Sequence, residues 1–188
     1  MPRYKFTRED IISQQEMEET LAKTDKLWLK ALISFLYVFG VRISEAIRLR
    51  RRDFAIEGDK LTVNVGVLKK RTSSGPFKEA YHILRVNLNT PFVNYITEWM
   101  NQRQPDEFMW PLGRTWAGAR KRAWMCIKEL NPNMSPHVFR HTRLTKLALK
   151  DATGPDLMDW AGWADLRPAA RYLHLAGKLA EKFSDKID

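Results

Sequence analysis

Residues 27–39 read LWLKALISFLYVF, and this stretch decides the fold. Apolar side chains fall on nearly every face of the helix it would form. A surface helix does not tolerate that, so the segment is expected to run through the centre of a core. Gly40 ends it. Upstream, Ser13 and Glu16 have capping-box spacing and open a first helix that runs to about Ala22, with Thr7 a second cap candidate. Downstream, Ile43, Ala46 and Ile47 resume helical spacing on one side, and the arginines Arg48, Arg50, Arg51 and Arg52 crowd the segment that follows.

Further out the period changes. Leu61, Val63, Val65 and Val67 alternate with Thr62, Asn64 and Gly66, the two-residue repeat of a half-buried strand, and His82 to Leu88 alternates again. The intervening KKRTSSGPFKEA is too short for a crossover. The two strands are therefore expected to form an antiparallel hairpin with an exposed basic tip. Thr90 and Pro91 read as cap and first position of a helix whose buried stripe is Phe92, Ile96, Trp99 and Met100. An Arg- and Trp-rich helix is expected over about 116–130, and Ser135 with Pro136 opens another. Two shorter pieces follow, one holding Leu157 to Ala161 and one starting near Pro168. After Gly177 the tail LAEKFSDKID reads as a final helix able to detach. The expected architecture is one domain over 1–188, with its core at about 1–176, mainly α with a small antiparallel β-sheet (α+β).

Composition sets the class of partner. With 188 residues and 44% hydrophobic content the chain can fill one sizeable core. A net charge of +10 and a pI near 9.8 favour a polyanionic partner, either nucleic acid or an anionic membrane surface. No run approaches the roughly 20 apolar residues of a spanning helix, and no secretion signal opens the chain, so a soluble intracellular protein of the cytoplasm or nucleoid is expected. A lone cysteine, Cys126, can neither close an internal disulfide nor build a zinc site by itself. The apolar residues look committed to one core, which argues against a membrane-surface helix.

Breaking a phosphodiester without a metal needs a nucleophile, cations around the non-bridging oxygens, and an acid for the leaving oxygen. Arginine suits the clamp because its planar fork pairs with phosphate and keeps its charge. Arg42 at a helix start and Arg140 on a separate helix are the candidates, and His137 lies three residues before Arg140, on the same helical face. The hairpin offers Lys69, Lys70 and Lys78. Strand parity points only weakly to Lys69.

GVRISEAIRL (40–49), SPHVFRHT (135–142) and AGWADLRPAARYL (161–173) stand in the order and spacing of the tyrosine recombinase (phage integrase) family, and nearly the whole chain resembles its catalytic domain. The resemblance implies a G-x-R-x-S-E arginine at Arg42 with Glu45 following, and a His-x-x-Arg pair at His137 and Arg140. It also implies a hairpin lysine at Lys69 or Lys70, and Trp163 nine residues before a nucleophilic Tyr172. Tyr172 would attack the scissile phosphate to give a 3′-phosphotyrosine and a free 5′-hydroxyl, with no cofactor or metal. Arg42 and Arg140 would hold the phosphate, Lys69 would protonate the 5′-oxygen, and His137 would assist proton transfer. Trp163 stands where many members have histidine. An indole donates one hydrogen bond and exchanges no proton, so positioning is its expected role. Glu45 is expected to make a structural ion pair, and His141 is the neighbour to watch.

The implied function is a site-specific recombinase or integrase of a mobile element, acting on double-stranded DNA as a homo-oligomer, a tetramer by family habit. A type IB topoisomerase or telomere resolvase would share the chemistry, and a non-enzymatic DNA-binding module would share the fold. Arg48, Arg50, Arg51, Arg52, Arg71, Arg120, Lys121 and Arg122 are expected to position DNA without reading bases. Trp28, Trp99, Trp124 and Trp160 fall in apolar helical segments and are expected in the core. Family members usually carry a further amino-terminal helical domain, which this chain is expected to lack.

Overall fold

The computed structural model describes residues 11–67, 80–113 and 115–184, with side chains given for all of these except residues 67, 80 and 178–184. Helix α2 (Leu27–Phe39) lies at the centre, with nine of its thirteen residues buried, including Leu32, Phe35, Leu36 and Phe39. Around it the rings of Phe35, Phe39, Phe54 and Trp110 meet at tilted angles, Phe35 lying 5.0–5.6 Å from the other three. Helix α1 (Gln14–Ala22) opens on the Ser13/Glu16 capping box: Ser13 N–H donates to Glu16 Oε2 at 2.7 Å, and Glu16 N–H to Ser13 Oγ at 3.1 Å.

Gly40 closes α2 in the left-handed region, φ 64°, and the chain turns at once into the one-turn helix α3 (Ile43–Ala46). A 3-10 turn over Arg51–Asp53 leads to the sheet of β1 (Phe54–Glu57), β2 (Lys60–Val67) and β3 (Ala80–Asn87), antiparallel in the order β1-β2-β3. Leu61, Val63 and Val65 face the core with Leu84 and Val86. The hairpin is as expected; β1 is an addition. Its four residues bury only Phe54, so they present no alternating run to read.

Helix α4 (Val93–Met100) corrects the expected cap. Its N-cap is Phe92 at φ 72°, with no side-chain cap. Burial outweighs local propensity here: Phe92 is seated edge-on against Tyr37 at 5.7 Å, and Thr90 supplies only a backbone carbonyl to Val93 N–H. The remaining helices are α5 (Trp116–Leu130), α6 (Pro136–Ala148), α7 (Gly154–Ala161) and α8 (Arg167–Ser184), the first three capped by Thr115, Ser135 and Thr153. α8 continues through Gly177 to Ser184 with no break, where the sequence had suggested a separate tail. Trp124 also departs from expectation: it is 47% exposed, on the outer face of α5. Among the described residues no helix is long and apolar enough to cross a membrane.

A Cβ added at Gly40 would lie 2.7 Å from Cβ of Arg143, at a backbone angle that disfavours any L side chain. Gly40→Ala is expected to destabilise the domain by more than about 1 kcal/mol, read as a lower urea midpoint with an unchanged slope.

Candidate active site

Arg42 is the N-cap residue of α3, and its place is set by Glu45. The carboxylate of Glu45, 1% exposed, accepts from Arg42 Nη1 at 2.8 Å and from Arg42 N–H at 2.9 Å. Both acceptor oxygens are thereby used, which fits the structural ion pair expected of Glu45. Arg42 itself stays 40% exposed.

Arg140 is held in the opposite way. Its side chain is buried on α6, where Nη1 donates to the carbonyl of Gly40 and Nη2 to that of Ala161, both at 2.9 Å. A guanidinium has five N–H donors, so three remain for an anion after these two bonds. Burial, and then the nearby Arg42 charge, lower its pKa to about 10, which leaves it cationic at neutral pH.

Trp163 follows directly on Gly162, the left-handed C-cap of α7 at φ 61°. Its indole stacks on the Tyr172 ring at 5.7 Å and 23° between planes, and the Arg140 guanidinium lies 5.6 Å from the indole centroid. Tyr172 on α8 is 6% exposed, with the His141 ring 5.6 Å from it and the Arg171 guanidinium over its face at 5.6 Å. Burial raises the phenol pKa, and Arg171, Arg140 and Arg42 pull it back down. At neutral pH Tyr172 is therefore a neutral phenol surrounded by cations.

Arg42, His137, Arg140, Trp163 and Tyr172 line one cavity of about 330 Å³, together with Ile43, Ser44, Arg120, Pro168 and Arg171. The sequence boxes thus converge in space. His141 lies behind this wall, buried against Tyr172. Lys69, Lys70, Lys78 and Arg71 lie outside the described residues. Sequence reading missed Ser44 and Arg171 as cavity residues. Arg171 could have been found by its adjacency to Tyr172 in a cation-rich segment, whereas Ser44 carried no separate signal. Arg120, expected only as a surface cation, lines the cavity.

The arginine run at 48–52 divides as well. Arg51 donates from Nε to Met100 O at 2.9 Å and from Nη1 to Phe54 O at 3.0 Å, so it staples two segments of the fold and is not displayed to a partner. Arg52 pairs with Asp106 at 2.6 Å, an exposed pair of small energetic weight. Arg48 and Arg50 lie over the rings of Trp116 and Phe108. The 120–122 run divides because a helix turns about 100° per residue: Arg120 reaches the cavity, while Arg122 packs over Gly113. Lys121 is exposed between them.

The fold and cavity define a class: a helical domain with a small antiparallel sheet whose crevice gathers arginines around a buried tyrosine. Residues 9–178 match the phage integrase family, and the chain belongs to it. Among curated relatives it is similar to tyrosine recombinase XerD of Neisseria meningitidis serogroup B, 27% identical over 180 residues (88% of this chain, 58% of that protein). It is also similar to tyrosine recombinase XerD of Proteus mirabilis, 26% identical over 177 residues (88% and 55%). The chain thus spans less than two thirds of these relatives. Its fold is similar to that of XerA recombinase, with a TM-score of 0.64 at 16% identity (95% of this chain, 65% of that one). It also resembles XerH site-specific recombinase bound to difH substrate, TM-score 0.62 at 16% identity (92% and 52%).

One half-buried titrating group lies on β3, against α7. His82 on β3 hydrogen-bonds through Nδ1 to Asp159 O at 3.3 Å, and burial lowers its pKa below the usual 6.5. The unfolded chain therefore takes up this proton first as pH falls, and folding stability is lost from about pH 6.5 down through the folded pKa. His82→Asn, which keeps an amide donor near Nδ1, is expected to flatten the fall in urea midpoint between about pH 7.5 and pH 5.

Proposed function

We propose that this chain cleaves and rejoins DNA strands as a site-specific recombinase or integrase, using Tyr172 as the nucleophile. The observation that carries this reading is the meeting of Arg42, His137, Arg140, Trp163 and Tyr172 around one cavity, from four separate segments of the chain. Its volume and cationic lining suit a phosphate group. Arg42 and the three unused donors of Arg140 bind the non-bridging oxygens, whose negative charge grows as the phosphorus becomes five-coordinate. The phenol oxygen of Tyr172 attacks phosphorus and gives up its proton, assisted by His137. The P–O5′ bond breaks, and Lys69 or its neighbour Lys70 protonates the departing 5′-oxygen. A 3′-phosphotyrosine and a 5′-hydroxyl result, and attack by a 5′-hydroxyl of another strand reverses the step. Trp163 shields and aligns Tyr172 by stacking, and His141 packs behind it.

The double-stranded DNA substrate supplies the counter-charge for this basic surface. Strand exchange between two duplexes requires paired active sites, and a tetramer on DNA is the assembly we assign to the reaction. Solved structures of similar fold in complex with DNA, such as the Tn1549 transposon integrase with transposon right end DNA, TM-score 0.57 at 18% identity, support the choice of substrate.

A nicked suicide duplex is expected to trap a covalent protein–DNA complex that resists denaturing electrophoresis. Arg42→Ala and Arg140→Ala are expected to slow its formation roughly 100-fold to 1,000-fold each. An adduct that survives Tyr172→Phe overturns the assignment.

A further inference from the structure

Trp116 and Phe108 are 44% and 37% exposed and meet edge to face at 5.6 Å. Each ring carries a guanidinium: Arg48 Cζ lies 4.5 Å from the Trp116 centroid, and Arg50 Cζ 4.3 Å from that of Phe108. The four side chains form a row, Arg48–Trp116–Phe108–Arg50. Among the described residues neither guanidinium is paired with a carboxylate. Arg50 Nη1 also donates to the carbonyl of Asp106, which fixes the guanidinium without neutralising it, so both cations keep their charge and their remaining donors for an anion.

The row is built on fixed backbone. Arg50 and Phe108 face each other across an antiparallel bridge, Met109 N–H donates to Leu49 O at 2.8 Å, and the buried Leu49 separates the two arginines. The row also adjoins the cavity by two routes. Trp116 precedes the cavity-lining Arg120 by four residues, one turn of α5, and Arg48 lies in the turn that directly follows α3, which carries the cavity-lining Ser44.

We infer that this row is a rail for the DNA backbone just beyond the scissile phosphate, in which Trp116 and Phe108 seat Arg48 and Arg50 against successive phosphates. The inference rests on the proposed function. The rings already carry guanidinium groups, so they serve as seats and not as stacking platforms for bases. A guanidinium lying over a ring keeps donors at its edge for phosphate and loses less freedom on binding than a mobile one. The rail is sequence-independent, because it touches phosphate and not base edges.

The test is equilibrium binding of the purified chain to a fluorescent duplex of random sequence over a range of salt concentrations. If the rail exists, the uncharged changes Trp116→Ala and Phe108→Ala weaken binding roughly threefold to tenfold and lower the slope of log affinity against log salt by up to about 0.9 each, although no charge is removed. Arg48→Lys, which keeps the charge and leaves the exposed site intact, is weakened nearly as much as Arg48→Ala. Wild-type affinity and slope in Arg48→Lys overturn the rail, and this variant decides the matter should either aromatic variant lose its urea-measured fold. Covalent trapping of the wild-type chain on the suicide duplex is scored separately. Absence of an adduct counts against the recombinase reading, whereas an adduct with unchanged rail variants counts against the rail alone.

Discussion

The buried guanidinium of Arg140 is the constraint on which the rest of the site depends. A cation taken out of water is tolerated only where acceptors replace its hydration, and here they are the carbonyls of Gly40 and Ala161. Each lies at a helix end, where the last carbonyls have no intrahelical partner. One side chain on α6 thus fastens the end of α2 to the end of α7. The same stretch of α7 is fixed twice more, because Trp160 Nε1 donates to Phe39 O at 2.8 Å and Asp159 O accepts from His82. Three consecutive residues, 159 to 161, tie α7 to β3, α2 and α6 before Gly162 turns the chain and presents Trp163.

Electrostatics follows from that frame. Arg42, Arg120, Arg140 and Arg171 line the cavity, and the carboxylate of Glu45, which stands beside Arg42, has its oxygens taken up by that residue. Like charges this close repel, and the Arg140 pKa is lowered first by its burial and then by the neighbouring Arg42 charge. The folded chain holds that repulsion through packing of α2 and α6, so under the proposed function a phosphate would relieve it without rearranging the cations. Charge stabilisation of this kind is effective because the reorganisation is complete before the reaction begins.

How much of this the sequence disclosed depended on whether the signal was local. The all-round apolar run at 27–39, the capping box at Ser13, the Ser135 cap and the alternation at 61–67 are written in neighbouring residues, and they appear as read. The boxes carrying Arg42, His137, Arg140, Trp163 and Tyr172 were legible as spacings, and the fold brings them together. Features set by distant partners were not legible. Phe92 adopts a left-handed backbone because Tyr37, 55 positions earlier, offers its ring a seat. Arg51 looked like part of a basic patch until the carbonyl of Met100 claimed it. Trp124 shares its helix with buried alanines, yet it falls on the opposite face, beside Lys128. Charge runs and aromatic counts describe composition, while the direction of each side chain is decided by tertiary contacts.

Tyr172, the proposed nucleophile, and the cavity arginines rest on different parts of the interior. Val138 and Phe139, at the start of α6, belong to the main core with α2 and the sheet, and Arg42 is anchored beside that core through α3. Leu144 and Ala148, at the end of α6, belong to a smaller cluster with Leu157, Ala161, Ala169, Tyr172 and Ala176. That second cluster is made largely of alanine, and alanine removes far less apolar area from water than the Phe, Leu and Ile of the main core. The proposed phosphate clamp therefore stands on the main core, whereas Tyr172 is seated by the smaller cluster, by stacking on Trp163 and by the tilted ring of His141. Helix α6 runs through both clusters and carries Arg140 between them, so the residue proposed to bind the phosphate is also the one that joins the two halves of the site.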